Sequence, residues 1–180
     1  MVALPQKVNR ANLLRSRWGS EVEQTGEYSV AADRSAVWTG LNDPEVLARC
    51  IEGCQSVSKV SDDVFEASVK AKVGPVRATF SAAIALTDID PPSSYLINVA
   101  VKGGPAGFAK GSAEVILEEA DGYTVLRYRV AANVGGKLAQ IGSRLVDSAA
   151  RKMADSFFAA FEREFEGQDR RADGASGNSR

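Results

Sequence analysis

The chain has 180 residues, 44% of them hydrophobic and 25% charged, which indicates one globular domain and excludes a fibre or a wholly disordered protein. Its net charge is −1, and because residues 1–20 carry basic side chains and no acid, the remainder is mildly acidic and unsuited to general nucleic-acid binding. Histidine is absent, which excludes Ser-His-Asp and Cys-His catalysis and histidine ligation of zinc or non-haem iron.

Residues 1–22 are predicted to be a disordered N-terminal extension, because they lack apolar periodicity and precede the first clear strand. A helix lying on a membrane surface is the alternative for this basic stretch. Its only apolar pair is Leu13-Leu14, where a signal peptide would have a longer block. No run in the chain approaches the ~20 apolar residues of a membrane span. We therefore expect a cytoplasmic protein.

A first strand is predicted near residues 23–30, followed by two short helices. Asp33 suits the N-cap of the first helix, whose buried side would include Val37 and Trp38. In the second helix Asp43 can cap, and Pro44 suits the first helical position.

Cys50 and Cys54 are the two cysteines of the chain and lie one helical turn apart. Two thiolates without further Cys or His ligands make a poor zinc site. We expect buried, reduced thiols and no metal.

From about residue 56 to residue 134 apolar and polar residues alternate, as they do in half-buried strands. Turn signals divide this stretch into an antiparallel meander, at 61–63, 74–75, 90–92, 103–105 and 121–122. In one strand the residues that share the predicted inward face are Phe65, Ala67, Val69, Ala71 and Val73.

One long helix is predicted from Lys137 to about Glu166, after Gly135-Gly136 ends the last strand. Its apolar residues recur every three or four positions and share one stripe, which comprises Leu138, Ile141, Leu145, Ala149, Met153, Phe157, Phe161 and Phe165. Residues 167–180 lack this periodicity and are predicted to be a disordered tail. The domain is therefore predicted to span residues 23–166.

A helix of roughly 30 residues is about 45 Å long and can cross a strongly curved sheet. Large side chains would be needed to fill the hollow beneath it. The predicted inner wall is instead rich in small residues, namely Ala67, Ala71, Ala78, Ala82, Ala109, Gly111, Ala113 and Ala132. Two interpretations stay open: an apolar cavity under the first half of the helix, or close packing of helix on sheet.

Several motifs between residues 23 and 166 point to a known family. They are Val37-Trp38 followed by Leu41-Asn42-Asp43-Pro44-Glu45-Val46-Leu47, Cys50-Ile51-Glu52-Gly53-Cys54, Val73-Gly74-Pro75-Val76, Asp90-Pro91-Pro92-Ser93-Ser94-Tyr95, Gly107-Phe108-Ala109-Lys110-Gly111-Ser112-Ala113, and Val134-Gly135-Gly136-Lys137-Leu138-Ala139-Gln140-Ile141-Gly142-Ser143-Arg144-Leu145. With these motifs the chain resembles the CoxG family of carbon monoxide dehydrogenase subunits, within the START/Bet v 1-like (SRPBCC, helix-grip) superfamily.

The resemblance implies an α+β helix-grip fold, in which a curved seven-stranded antiparallel sheet, two short helices and a long C-terminal helix enclose an apolar cavity. It also implies a non-catalytic accessory factor that binds a quinone or lipid and assists a molybdenum-containing carbon monoxide dehydrogenase-type hydroxylase at the inner face of the membrane. A peripheral membrane association is part of that expectation. Some family members reach the membrane through a C-terminal extension, whereas residues 167–180 are polar here.

No cofactor of its own is expected for such a carrier. The predicted ligand-binding residues are Val69, Ala71, Ala78, Phe80, Ala82, Val99, Val101, Phe108, Gly111, Ala113, Val115, Tyr128, Val130, Leu138, Ile141, Leu145, Ala149 and Met153. The glycine-rich segment 103–108 is either a lid over the cavity or a plain turn.

Two other functions stay open. A cyclase or hydrolase of a small hydrophobic substrate would need a convergent polar cluster, such as Tyr128 with a carboxylate. A pure adaptor would have its hollow filled by side chains.

Overall fold

The computed structural model describes the backbone of residues 20–174 and the side chains of residues 21–166. Its strands are β1 (Ser20–Val30), β2 (Cys54–Ser61), β3 (Val64–Val73), β4 (Val76–Asp90), β5 (Ser94–Lys102), β6 (Phe108–Ala120) and β7 (Tyr123–Gly135). Its helices are α1 (Arg34–Leu41), α2 (Pro44–Cys50), α3 (Lys137–Gln140) and α4 (Ser143–Gly174). The predicted α+β helix-grip fold is confirmed.

All seven strands belong to one curved antiparallel sheet, in the order β1-β7-β6-β5-β4-β3-β2. Strands β2 to β7 form the predicted meander, and β1 pairs with β7, so β1 and β2 lie at opposite edges. The helices α1 and α2 carry the chain from one edge to the other. The predicted turn positions all fall at the ends of strands or between them.

Side-chain capping fixes the start of both short helices, as predicted. Asp33 Oδ1 accepts a hydrogen bond of 2.8 Å from the Ala36 N–H, and Asp43 Oδ1 accepts one of 2.9 Å from the Glu45 N–H. Pro44 occupies the first turn of α2, where its missing N–H costs nothing.

The C-terminal helix differs from the prediction at both ends. The helix is interrupted between α3 and α4 at Gly142. The φ of this residue is 93°, which lies outside the helical region and is accessible mainly to glycine. The prediction of a single helix beginning at Lys137 was therefore wrong. At the other end α4 continues to Gly174, past the predicted end near Glu166. The first strand likewise begins at Ser20 rather than near residue 23.

The remainder of the predicted extension, residues 1–19, and of the predicted tail, residues 175–180, lies outside the described residues. Over the described part of the chain, no helix combines the length and the apolar character of a membrane span.

Two separate groups of buried side chains hold α3 and α4 against the sheet. We call the first the Phe161 cluster, which comprises Val30, Val37, Cys50, Phe65, Leu86, Tyr95, Val115, Leu117, Leu126, Phe161 and Phe165. The second is the Leu138 cluster, which comprises Val22, Val73, Phe80, Ala106, Val134, Leu138 and Val146. The core is thus divided along the length of the sheet.

Polar contacts attach α4 at its two flanks. On the β1 side, Gln24 Nε2 donates to the Asp147 carbonyl oxygen at 2.8 Å, and the Tyr28 hydroxyl donates to Asp155 Oδ1 at 2.6 Å. On the α2 side, the Arg49 guanidinium donates twice to the Glu164 carboxylate, each time at 2.9 Å. Among the described residues, the structure shows no such side-chain hydrogen bond or ion pair between β3 and α4.

Candidate ligand-binding site

Between the two clusters, a group of apolar residues faces α4 without being buried. They are small or medium-sized, remain partly exposed and belong to neither cluster. This interior band comprises Val69, Ala82, Val99, Gly111, Ala113, Val130 and Ala132. A side chain that faces the core and is still reached by solvent borders unfilled space, since packed interiors leave few voids larger than a water molecule.

Strand register makes the interior band continuous across the sheet. Val99 is paired with Gly111, and Ala113 is paired with Val130. Ala82 lies diagonal to Val99, because its own partner on β5 is Val101. The interior band therefore runs across the strands from β3 to β7.

Glycine at position 111 is explained by the neighbouring backbone and not by open space in the interior. A Cβ added at this position would overlap the Ala131 carbonyl oxygen and would lie 2.7 Å from the Ala132 Cβ. Glycine is thus required here by the close approach of β6 and β7. The other members of the interior band are the ones whose partial exposure indicates open space.

An opening of about 540 Å³ lies between the end of β3 and the first half of α4. We call it the β3–α4 opening. Its lining comprises Glu52, Lys70, Ala71, Lys72, Gly74, Leu145, Ser148, Ala149, Lys152 and Met153. A volume of a few hundred Å³ is within the range of small-molecule sites. Ala71 is the next inward-facing residue after Val69, so this lining is contiguous with the interior band along β3.

The opening exists because β2 is shorter than its partner. β2 pairs with β3 as far as Cys54 and Val69, and the Gly53 carbonyl oxygen accepts one further bond of 2.9 Å from the Lys70 N–H. Beyond that point, in the described part of the chain, residues 71–73 have a strand neighbour on the β4 side only. The sheet wall therefore ends where the opening begins.

Most of the predicted ligand-binding residues do face the helix side of the sheet, but they divide among three environments. Those in the interior band are Val69, Ala82, Val99, Gly111, Ala113 and Val130. Those that are buried within a cluster are Phe80, Val115 and Leu138, and those packed against a cluster are Ala71, Ala78, Val101, Tyr128, Ile141 and Ala149. Leu138 is therefore part of the packed core, and the predicted residues that belong to neither cluster lie between the two clusters.

Two predicted positions on α4 lie at its edge. Leu145 is 45% exposed and Met153 is 41% exposed, and both line the β3–α4 opening. The Leu145 Cδ1 atom also approaches Gly74, where an added Cβ would lie 3.3 Å away. Helical spacing placed them on the apolar stripe correctly but could not show that the stripe is wider than the surface it covers.

Phe108 is placed differently from the prediction, whereas the glycine-rich segment matches one of its two predicted alternatives, the turn. Phe108 precedes the inward-facing Ala109, is 51% exposed, and its ring lies over Gly135, so it is on the outer face and not among the interior residues. The segment before it forms a short 3₁₀ turn at Gly104–Ala106, and Ala106 is buried in the Leu138 cluster. This geometry is that of an anchored turn and not of a lid.

Three lysines of the opening were not among the predicted site residues. Lys70 and Lys72 alternate with the predicted inward residues of β3, and Lys152 lies outside the predicted apolar stripe of the helix. That all three line one opening depends on where β2 stops and on how α4 crosses β3. The signal that could have indicated it is the difference in length between the two predicted strands.

A cluster of aromatic rings, together with one carboxylate, lies at the edge of the interior next to β1. The Tyr28 ring stacks on Phe158, with ring centroids 4.1 Å apart, and lies 6.1 Å from the Tyr128 ring. Burial, and then the hydrogen bond to Asp155, raise the pKa of Tyr28 above its ordinary value. Tyr28 therefore stays protonated near neutral pH, cannot act as a base, and donates its single O–H to Asp155.

Neither the outer face of the sheet nor the metal-ligating residue types provide a second candidate site in the described residues. A groove of about 460 Å³ on the outer face is lined by Arg127 and Arg129 among others, and Arg127 is already paired with Glu27 and Glu118. Within the described residues, no group of three or more His, Cys, Asp or Glu side chains could hold a metal ion, and both cysteines are free.

Comparison with known proteins gives one family. The family model for the CoxG subunit of carbon monoxide dehydrogenase matches residues 26–165. A conserved protein from Geobacillus kaustophilus has 32% sequence identity and a TM-score of 0.76, with 81% of this chain and 96% of that chain covered. Among curated proteins no significant match was found.

More distant solved structures share the fold. A START superfamily protein from Mycobacterium smegmatis is 14% identical with a TM-score of 0.61, covering 82% of this chain and 98% of that chain. The Zhui aromatase/cyclase from Streptomyces sp. R1128 is 16% identical with a TM-score of 0.60, covering 88% of this chain and 100% of that chain. Both support a START/Bet v 1-like fold.

Proposed function

The chain belongs to the CoxG family of carbon monoxide dehydrogenase subunits, and on that premise we propose that it is a non-catalytic carrier of a long apolar molecule, a quinone or a lipid. The carrier assists a molybdenum-containing carbon monoxide dehydrogenase-type hydroxylase by coupling it to the membrane or recruiting it there. The family and the START-like fold together suggest a hydrophobic ligand-binding role.

The observation that carries the proposal is the interior band. Its apolar residues face α4 between two packed clusters and remain partly exposed. An apolar chain that covers them gains about 0.8 kcal/mol per buried CH₂ group, so a long chain can bind without any catalytic group. The β3–α4 opening supplies a route along β3, since Ala71 in its lining adjoins Val69 in the band.

The partner enzyme and the role at the membrane are inferred from the family alone. The family name implies association with carbon monoxide dehydrogenase. A carrier that shields an apolar molecule from water would let such an enzyme exchange that molecule with a bilayer.

The test is reconstitution of the hydroxylase with quinone-containing vesicles, with and without the carrier. We expect the rate of membrane quinone reduction to increase when the carrier is added. Ala113→Trp, which fills the interior band, should abolish the increase. Equal rates with and without the carrier would overturn the accessory role.

A second candidate function is supported by Tyr28 and Asp155. The hydroxyl and carboxylate lie 2.6 Å apart at the β1 flank, close to Tyr128, and one similar fold belongs to an aromatase/cyclase. Because the single O–H of Tyr28 is donated to Asp155, its oxygen can accept a hydrogen bond from a bound hydrophobic substrate and so orient it for cyclisation. This arrangement uses Tyr28, where the sequence had suggested Tyr128.

Tyr28→Phe separates the two candidates. For an enzyme, the variant should lose turnover of a hydrophobic polyketide-like or ester substrate while it retains binding. For a carrier, both ligand binding and the support of the hydroxylase should stay unchanged.

A further inference from the structure

The exposed charge around the β3–α4 opening is predominantly positive. Lys70, Lys72 and Lys152 line it, against the single acid Glu52. All three lysines are exposed, and among residues 21–166 none forms a salt bridge with a carboxylate. The opening therefore presents cations that the described part of the protein leaves without a counter-ion.

The fold brings these cations together from two elements. Lys70 and Lys72 alternate with the inward-facing Ala71 at the edge of β3 where β2 no longer covers the strand. Lys152 lies one helical turn after Ser148 on the flank of α4 that faces this edge. The positive charge is thus placed at the rim, on both sides of the gap.

The same lining also contains exposed apolar side chains. Leu145 and Met153 are large hydrophobic side chains of α4 that are left substantially exposed, and both lie in this lining. Ala71 and Ala149 continue it toward the Leu138 cluster and the interior band. Lysines next to exposed apolar side chains match a molecule with an anionic head and an apolar chain.

We propose that the β3–α4 opening binds the anionic head group, a phosphate or carboxylate, of an amphiphile whose chain occupies the interior band. This inference rests on the proposed carrier function and names the ligand class within it. It favours an acidic lipid over a neutral quinone. Ammonium groups attract such a head group without fixed geometry, and salt screens the attraction.

The experiment compares two ligands that share one chain. Oleoyl lysophosphatidic acid and monoolein carry the same acyl glycerol, and only the former has a phosphate. Binding to the full-length protein is measured by isothermal titration calorimetry below the aggregation concentration of each. We expect the phosphate-bearing ligand to bind about tenfold more tightly at low salt, and this preference to shrink at high salt.

The variant Lys70→Gln/Lys72→Gln/Lys152→Gln should lose the preference and keep its affinity for monoolein. Its matched control, Lys102→Gln/Lys110→Gln/Lys137→Gln, makes the same change in net charge at exposed positions outside the opening and should keep the preference. Loss of the preference in both variants would overturn the proposal, because the effect would then be one of net charge.

Equal affinity of the wild type for the two ligands would overturn this inference and leave the carrier function standing. Failure to bind either would instead contradict the carrier function. Inorganic phosphate alone should compete weakly, and competition as strong as that of the lysophosphatidic acid would show a free-anion site and overturn the amphiphile. Binding to vesicles of acidic phospholipid without removal of any lipid from them would show docking to a bilayer, which also overturns the head-group site.

Discussion

Ala113 and Val130 are direct partners across β6 and β7, and both stay partly exposed although they face the helix side of the sheet. Further along the same two strands, inward positions on either side of this pair enter packed clusters, as Val115 and Val134 do. The pair therefore marks the part of the interior where packing stops. The ligand-binding interpretation depends on that gap.

Ala113→Trp should fill the gap and abolish the binding of long apolar ligands. Because the indole enters existing space, we expect the free energy of unfolding to fall by less than the ~1–3 kcal/mol that overpacking a filled core costs. Ligand binding by native mass spectrometry and urea unfolding measure the two effects.

The matched control is Ala83→Trp, which makes the same change on the exposed outer face of β4. It should leave both binding and stability unchanged. Unfolding of the Ala113→Trp variant under conditions where Ala83→Trp is folded would contradict the presence of a void at residue 113.

Gly111→Ala should destabilise the fold by roughly 1–3 kcal/mol, because the added Cβ would overlap the Ala131 carbonyl oxygen and push β6 and β7 apart. Chemical denaturation measures the loss. The neighbouring Ser112→Ala variant should change stability by less than about 0.5 kcal/mol. If Gly111→Ala were as stable as the wild type, the close approach of the two strands would be wrong.

The two cysteines should differ sharply in reactivity. Burial raises the pKa of Cys50 to about 11, and its side chain is only 2% exposed, so its thiolate is scarce at pH 8 and its sulfur is inaccessible. Cys54 is partly exposed. A thiol reagent at pH 8 should therefore label one cysteine of the native protein, and Cys54→Ser should remove that fast phase. Fast labelling that survives in Cys54→Ser would place Cys50 at the surface.

The ion pair between Arg49 and Glu164 should make stability depend on pH in the acid range. The hydrogen bonds from Arg49 lower the pKa of Glu164 in the folded state. The contribution is therefore fully present above the unfolded-state pKa, which is about 4.3, and is lost as the pH falls through the lower folded value. Because both side chains are partly exposed, the contribution is small.

Glu164→Gln tests this prediction. The stability difference between wild type and variant, measured by denaturation from pH 3 to pH 7, should be constant near neutrality and shrink in acid. A difference that grows as the pH falls would show that Glu164 is not held as a carboxylate by Arg49.

Local signals in the sequence were sufficient to predict most of the fold. Alternation located the strands, and turn residues such as Gly74 and Gly122 located the breaks, because both depend on interactions between near neighbours. The family resemblance was carried by motifs of this kind. The break in the last helix was not predicted, since apolar periodicity continues through Gly142 and only the backbone angle shows the interruption.

The site could be predicted only in part. The alternation of inward and outward residues along the strands identified Ala82, Ala113 and Val130 as inward-facing. The structure places all three in the interior band. Strand alternation and helical spacing do not show which inward residues are packed by a partner, and the predicted ligand-binding residues Phe80 and Leu138 are buried in the Leu138 cluster. The rim of the opening depends on strand ends and on the path of α4, which are long-range features.

The most direct test of a ligand-binding interior is native mass spectrometry of the purified protein, combined with extraction and identification of what it carries. Wild type should hold one apolar long-chain molecule, or take one up when incubated with quinones and lipids, and Ala113→Trp should hold none. A wild-type protein that binds neither quinones nor lipids, or an Ala113→Trp variant that binds them equally well, would contradict a ligand-binding interior.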